Sequence, residues 1–229
     1  MKLGNCLVDG EFLERHNRYL AKVRIGRKTV SVHVADPGRL PGLLIPGRRA
    51  RLIYNPGPKR KTNYTLGLIR HGSIWVSVFP VFANRLVEGG LDDKTIGCLA
   101  GYRSFQREVK AGNSRFDFKL WYPKDTAYVE VKSVSLVESG VGKFPDAPTQ
   151  RGCRHVQELI ELRRRCHRAV VLFISQRSDT ETITSNDVID PKFGKVLRDA
   201  RAEGVELYGY NCKVTASTVT LNNPVKVTF

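Results

Sequence analysis

Two neighbouring runs alternate apolar and polar residues with the period of a strand: Arg115-Phe116-Asp117-Phe118-Lys119-Leu120 and Tyr128-Val129-Glu130-Val131-Lys132-Ser133. Strict alternation predicts half-buried strands, and the short stretch from Trp121 to Ala127 lets the two pair as a hairpin. With a period of two, Glu130 and Lys132 share one face, separated by roughly 6.6 Å of strand rise. Asp117 on the partner strand would then face a carboxylate and a lysine.

Upstream, short runs at 19–25 and 29–34 flank the Gly26-Arg27-Lys28 turn and predict a hairpin. Further strands are predicted at 49–54, 63–70 and 73–79, separated by turn-rich stretches such as Asn55-Pro56-Gly57-Pro58. Five short strands within about 80 residues suggest a small barrel of the OB kind. A helix is predicted from Val81 to Gly89, ending at the Gly89-Gly90 pair, where a domain junction is placed. Units of 1–80 and 81–229 follow.

Beyond the junction the pattern changes. Strands at 105–109, 114–120 and 128–134 precede a loop from Gly140 and a long helix starting near Thr149, a suitable N-cap. Val156, Leu159, Ile160 and Leu162 recur at helical spacing. Arg168 to Ile174 is nearly all apolar, as in the middle of a sheet covered on both faces. A helix over 192–203 and a strand over 205–210 follow, with a β-like tail from Lys213. The order predicts an α/β second unit, a mixed sheet with helices on its faces.

Charge changes the picture. Thirty-eight lysines and arginines against 22 acids give a net charge of +16. Solubility alone calls for a magnitude of roughly 2 to 8, so the excess favours a polyanion, nucleic acid being the commonest. Lys59, Arg60 and Lys61 end a loop of the barrel, with Tyr54 and Tyr64 nearby as stacking faces or as core residues. Arg115 shares the face of Asp117 by parity, to steer phosphate or to pair with the carboxylate. Arg151 and Arg154 could face DNA from the first turns of the long helix. The partner expected is DNA, duplex favoured, with a single strand compatible with an OB-like unit. A small phosphate-bearing ligand is the alternative anion.

The hairpin supplies the chemistry. Mg²⁺ or Mn²⁺ takes oxygen ligands from one or two carboxylates plus water and phosphate. Asp117 and Glu130 could supply the carboxylates and the Val131 carbonyl a third oxygen, with Lys132 holding the attacking water or offsetting charge on phosphorus. Glu108 is a further acid on the preceding strand. The same residues also describe an ordinary surface hairpin with cross-strand acid–base pairs, and both readings stand at this point. The five scattered cysteines form no zinc motif and fit a reducing compartment. No apolar run approaches about 18 residues and the start lacks a secretory apolar region, so a cytoplasmic protein with no membrane span is expected.

These residues resemble the sugar fermentation stimulation protein A family. The carrying stretches are Asp36-Pro37-Gly38-Arg39, residues 55–61, Ala83-Asn84-Arg85-Leu86, Arg107-Glu108-Val109-Lys110, Ser114 to Phe118 and above all residues 128–152. The resemblance implies an OB-like first domain and a second domain of the PD-(D/E)XK nuclease type. It maps that pattern's acid, carboxylate and lysine onto Asp117, Glu130 and Lys132. It also implies DNA binding, with a role in regulating sugar utilisation genes, either as a nuclease or as a non-catalytic regulator. Family members often carry glutamate at the positions of Gly89 and Gln150. This chain instead has Glu88 one place before the first of them, a departure from the pattern in which a helical acid assists the metal.

Overall fold

The protein is described by a computed structural model covering residues 1–4 and 6–229. Its first sheet is built from β1 (Leu7–Asn17), β2 (Leu20–Ile25), β3 (Lys28–His33), β4 (Arg49–Tyr54), β5 (Tyr64–His71) and β6 (Ile74–Ser77). The strand order is β3-β2-β1-β4-β5-β6, and a parallel contact between β3 and β5 closes five of these strands into a barrel. That is the expected OB arrangement, with β6 added outside β5. The interior is filled by alternate residues such as Phe12, Val23, Val32, Leu52 and Leu66.

The sequence pattern did not foretell β1. Phe12 is the one fully buried residue of its eleven, and two register shifts against β2 break its alternation. A strand that wraps a barrel with one anchor and charged neighbours carries little period-two signal.

The second unit begins with α1 (Val81–Asp92), followed by β7 (Ser104–Ala111), β8 (Ser114–Trp121), β9 (Thr126–Val134), β10 (Leu136–Glu138) and β11 (Val141–Phe144). Then come α2 (Gln150–Arg164), β12 (Arg168–Ser175), β13 (Thr182–Ser185), α3 (Pro191–Ala202), β14 (Glu206–Val214) and β15 (Val219–Thr228). Nine strands form one mixed sheet in the order β10-β11-β13-β15-β14-β12-β9-β8-β7. β12 lies parallel to both β9 and β14, which explains its unbroken apolar run. α2 and α3 cover one face through Val156, Leu159, Phe193 and Leu197, while α1 and the barrel cover the other. No helix among the described residues is long and apolar enough to cross a membrane.

Two expectations are corrected here. α1 does not stop at Gly89-Gly90 but runs to Asp92. Gly90 is there for close packing: a Cβ would come within 2.9 Å of Ile96 and 3.0 Å of Leu221. The stretch from Gly140 is not all loop, because Val141–Phe144 pairs in parallel with β13.

The two units share a core. Leu3, Leu68 and Trp75 pack in one cluster with Phe82, Leu86, Val129 and Leu172. Gln176, buried at the end of β12, joins them by hydrogen bonds. Its side chain accepts from Ser77 Oγ at 2.7 Å and donates to the Phe79 carbonyl at 3.2 Å and Ser133 Oγ at 3.0 Å. Residues 1–3 leave the barrel and pair with residues 217–219, so the chain's start is tied to the second sheet.

Candidate functional site

β8 and β9 pair from Trp121↔Thr126 to Phe118↔Val129, and the ladder stops there. Phe118 packs in the core under α1, whereas Phe116, two residues earlier, packs under α2. Strand alternation therefore breaks at Asp117. Across from it on β7, Glu108 takes a left-handed φ of 54°, so both strands kink together. Where the ladder opens, Asp117 replaces the missing bond: its Oδ2 accepts the Val131 N–H at 2.7 Å. Its Oδ1 accepts from Asn84 Nδ2 of α1 at 2.6 Å.

Glu130 and Lys132 share a face, as the period required, and Lys132 Nζ lies 2.7 Å from Glu130 Oε1. Both are buried. The same oxygen meets His155 Nδ1 of α2 at 2.6 Å. Arg151 Nε donates to His155 Nε2 at 3.3 Å. Arginine has no acceptor to offer, so Nε2 is the accepting nitrogen and Nδ1 carries the proton given to Glu130. Glu130 Oε2, by contrast, is buried with no hydrogen-bond partner.

The two carboxyls are pushed apart in acidity. Burial raises Asp117 to about 6, and the nearby Glu130 charge adds to it, against the hydrogen bonds from Val131 and Asn84. Burial also disfavours the Glu130 charge, but Lys132 and the His155 hydrogen bond outweigh it and hold that carboxyl below its ordinary range. Glu130 is thus the standing anion and Asp117 the group that gains most from a cation.

These groups line a cleft of about 560 Å³ between the two units. Arg18, Asp36, Pro37 and Gly38 of the barrel form one wall, and residues 143–149 with the start of α2 form the other. The walls touch at one end. Leu40 N–H donates to Asp146 Oδ2 at 3.1 Å, and a Cβ on Gly38 would come within 2.3 Å of that carboxylate. Arg15 fixes the barrel loop by donating to the carbonyls of Asp36 and Gly38 at 2.8 and 2.6 Å. Burial raises Asp36 to about 6, and the Asp146 charge adds to the shift. The α2 N-terminus, capped by Thr149 Oγ1 accepting from Gly152 N–H at 3.0 Å, opens onto the cleft, where its free N–H groups suit an anion.

Among the described residues no three histidine, cysteine or acidic side chains converge as a ready-made metal cluster. The donor set nevertheless fits a hard divalent cation of the Mg²⁺ type. Two carboxylates, one with an orphaned buried oxygen, lie beside Val131 in a cleft with room for water and phosphate.

The remaining predicted residues are dispersed. Glu108 is exposed on β7, the edge strand of the sheet, and does not line the cleft. Arg115 is exposed near the start of β8, opposite Lys110, and does not line the cleft. Arg151 lines the cleft, while Arg154 is exposed outside it. Lys59, Arg60 and Lys61 lie in the β4–β5 loop on the barrel. Glu88 points away from the site, paired with Arg107 at 2.8 Å. The helix residue that reaches Asp117 is Asn84, one turn earlier, which the sequence reading left without a role, as it did His155 and Gln176. A polar His155 set among Cys153, Val156 and Leu159 on the buried face of α2 is the signal that was there to find.

A closed OB barrel joined to a mixed sheet flanked by helices, with a carboxylate pair and a lysine at their seam, defines a two-domain α/β protein. Family models match both parts: the SfsA N-terminal OB domain over residues 13–78 and the sugar fermentation stimulation protein RE domain over residues 81–218. The chain belongs to the sugar fermentation stimulation protein family. It is 40% identical to the sugar fermentation stimulation protein homolog of Clostridium perfringens strain SM101, over 99% of each chain. It is 42% identical to the homolog of Moorella thermoacetica, over 96% of each. The solved structure of Pyrococcus furiosus SfsA in complex with Ca²⁺ superposes with a TM-score of 0.89 over all of both chains, at 28% identity.

Proposed function

We propose that this protein binds DNA and hydrolyses a phosphodiester at the seam between its domains with a divalent metal, Mg²⁺ or Mn²⁺. The observation that carries this reading is the pair Asp117 and Glu130 beside Lys132, with Glu130 Oε2 buried and unpartnered. Asp117, Glu130 and the Val131 carbonyl would hold the metal, which lowers the pKa of a bound water and offsets charge on the phosphate. Lys132, fixed by Glu130, places an ammonium where negative charge grows on phosphorus. His155 orients Glu130 from behind, and Arg151 with the α2 N-terminus receives the phosphate. The homologous structure of Pyrococcus furiosus SfsA, a complex with Ca²⁺, supports a divalent site in the family. The +16 charge supports the nucleic-acid partner.

The direct test incubates DNA with purified protein and Mg²⁺ or Mn²⁺, comparing the parent with Asp117→Ala and Lys132→Ala. Cleavage by the parent alone is expected. Equal cleavage by all three would assign the activity to a contaminant and remove this reading. The rival reading is a DNA-binding regulator of sugar utilisation genes whose acids serve only structure. No third acid converges with Asp117 and Glu130 among the described residues, which favours it, and binding without cleavage by the parent would establish it.

A further inference from the structure

The barrel carries a second cavity, of about 520 Å³, with Tyr19, His33, Arg60, Lys61 and Thr62 in its walls. It adjoins the first. Arg18 lines the interdomain cleft while Asn17 and Tyr19, its chain neighbours, line this cavity, so the two lie on either side of the β1–β2 turn. The turn is pinned: Tyr19 N–H donates to Asn17 Oδ1 at 2.9 Å, and Val34 N–H to the Tyr19 carbonyl at 2.9 Å.

On that fixed backbone Tyr19 leaves 51% of its surface exposed. A second exposed ring, Tyr54, stands at the root of the loop that bears Arg60 and Lys61, its centroid 5.2 Å from Tyr64. Arg60 is also held, donating through Nε to the Thr62 carbonyl at 3.2 Å and through Nη2 to Thr65 Oγ1 at 2.7 Å. An exposed tyrosine face beside two cations, with a second exposed ring at the root of their loop, is the equipment for stacking bases and tracking a phosphate backbone.

The cleft beyond the turn holds about 560 Å³ and is closed at one end, where Leu40 and Gly38 meet Asp146. Stacking on a tyrosine needs an unpaired base with a free ring face, which a duplex keeps covered by its neighbouring base pairs, so the exposed rings select a single strand.

We infer that the cavity at Tyr19, Arg60 and Lys61 binds a single-stranded polynucleotide, which crosses the β1–β2 turn to enter the cleft at Asp117 and Glu130. The destination rests on the phosphodiesterase reading; the binding does not.

The test measures binding of fluorescein-labelled 12-nucleotide oligothymidylate and oligouridylate, and of a 20-base-pair DNA duplex, to the full chain in chelator. Either single strand should bind more tightly than the duplex, and the tighter of the two identifies the sugar. Tyr19→Ala should weaken single-strand binding about 5- to 150-fold, the loss of one stacked base, while Tyr19→Phe keeps it. Lys61→Ala, a second exposed position, should weaken it and flatten its salt dependence. Tighter duplex binding by the parent, or single-strand affinities of Tyr19→Ala and Lys61→Ala within twofold of the parent, overturns the inference. Because no metal is present, that failure leaves the phosphodiesterase reading intact. Loss of cleavage in Asp117→Ala, conversely, leaves this binding untouched.

Discussion

Asp117 Oδ2 accepts the backbone N–H of Val131 at 2.7 Å, in the place where the β8–β9 ladder ends. A side chain has taken over a ladder bond, and the gap this opens is where the carboxylates meet the cleft. The two substitutions at Asp117 should therefore act in opposite directions. Asp117→Ala leaves the buried Val131 N–H without its acceptor and should cost about 1–3 kcal/mol of stability. Asp117→Asn keeps an acceptor, removes the repulsion from Glu130, and should raise the metal-free melting temperature above pH 6. Thermal melts of both variants in chelator check this. Destabilisation by Asp117→Asn as large as that by Asp117→Ala would show that charge repulsion contributes nothing.

The acidity of the seam gives the parent a pH profile. Asp117 and Asp36 titrate near 6 in the folded chain because both are buried, with the charges of Glu130 and Asp146 adding to the effect. Their ordinary values lie near 3.8, so the folded state holds protons that the unfolded chain has released. Stability should therefore fall as pH rises from about 4 to 6 and stay low above it. Each group contributes about 1–3 kcal/mol after allowance for water in the cleft. Glu130, held below its ordinary range, works in the opposite sense and should destabilise the fold on further acidification. Millimolar Mg²⁺ or Mn²⁺ should recover the loss at pH 7 by binding the folded state, and Asp117→Asn should lose most of that recovery. An unchanged melting curve and no calorimetric binding would remove the metal site from the free protein.

The pairing of Glu130 with Lys132 was legible because period two is a local property, and so was Asp117 on the adjoining strand. The barrel was legible for the same reason in four of its five closing strands, and β1 escaped through its single buried anchor, Phe12. What the pattern could not carry was contact at long range. Asn84 reaches Asp117 across 33 residues and His155 reaches Glu130 across 25. Gln176 binds Ser77 across 99, and the barrel loop meets Asp146 across 106. Parity placed Arg115 with Asp117, and Arg115 is exposed outside the cleft, on a strand whose packing changes sides between Phe116 and Phe118. Loop cations such as Lys59 carry no periodic signal at all.

His155 should act on metal affinity through Glu130. With Nε2 taken by Arg151, its Nδ1–H fixes one carboxylate oxygen and leaves the buried Oε2 without a partner. His155→Ala should weaken divalent metal binding about 10- to 100-fold, as expected when the partner behind a ligand is removed. His155→Gln, which can still donate to Glu130, should recover part of it. Calorimetric metal titration of the three proteins at one pH measures this. Equal affinities in all three would confine His155 to packing against Phe116.

Salt should report the loop cations. Binding to nucleic acid through phosphate contacts weakens linearly in log–log form with salt, with a slope near −0.9 per contact on B-DNA and about −0.7 on single strands. Replacing Lys59, Arg60 and Lys61 together by alanine should reduce the slope by about two to three. Titrations between about 50 and 300 mM salt give the slopes for parent and variant. An unchanged slope would move the polyanion contact away from this loop, towards Arg151 and Arg154.

The last prediction concerns the seam where the walls of the cleft touch. Gly38 packs so closely on Asp146 that a methyl group would sit 2.3 and 2.4 Å from its two carboxylate oxygens. The carboxylate cannot simply swing away, because Leu40 N–H donates to it, and Arg15 anchors the loop through the carbonyls of Gly38 and Asp36. Gly38→Ala must therefore spread the walls or break the Leu40 bond, at about 1–3 kcal/mol by analogy with overpacked cores. If the strain is relieved by spreading, cleavage of a short oligonucleotide should fall while metal affinity holds, since Asp117 and Glu130 both lie on the other domain. Asp146→Ala should lower stability alone by removing the acceptor of the Leu40 N–H, yet it makes room for the methyl group, so the double variant should lose less than the two single losses combined. A double-mutant cycle of melting temperatures, with metal titrations alongside, measures both effects. Strict additivity would mean that Gly38 and Asp146 are not in contact in solution.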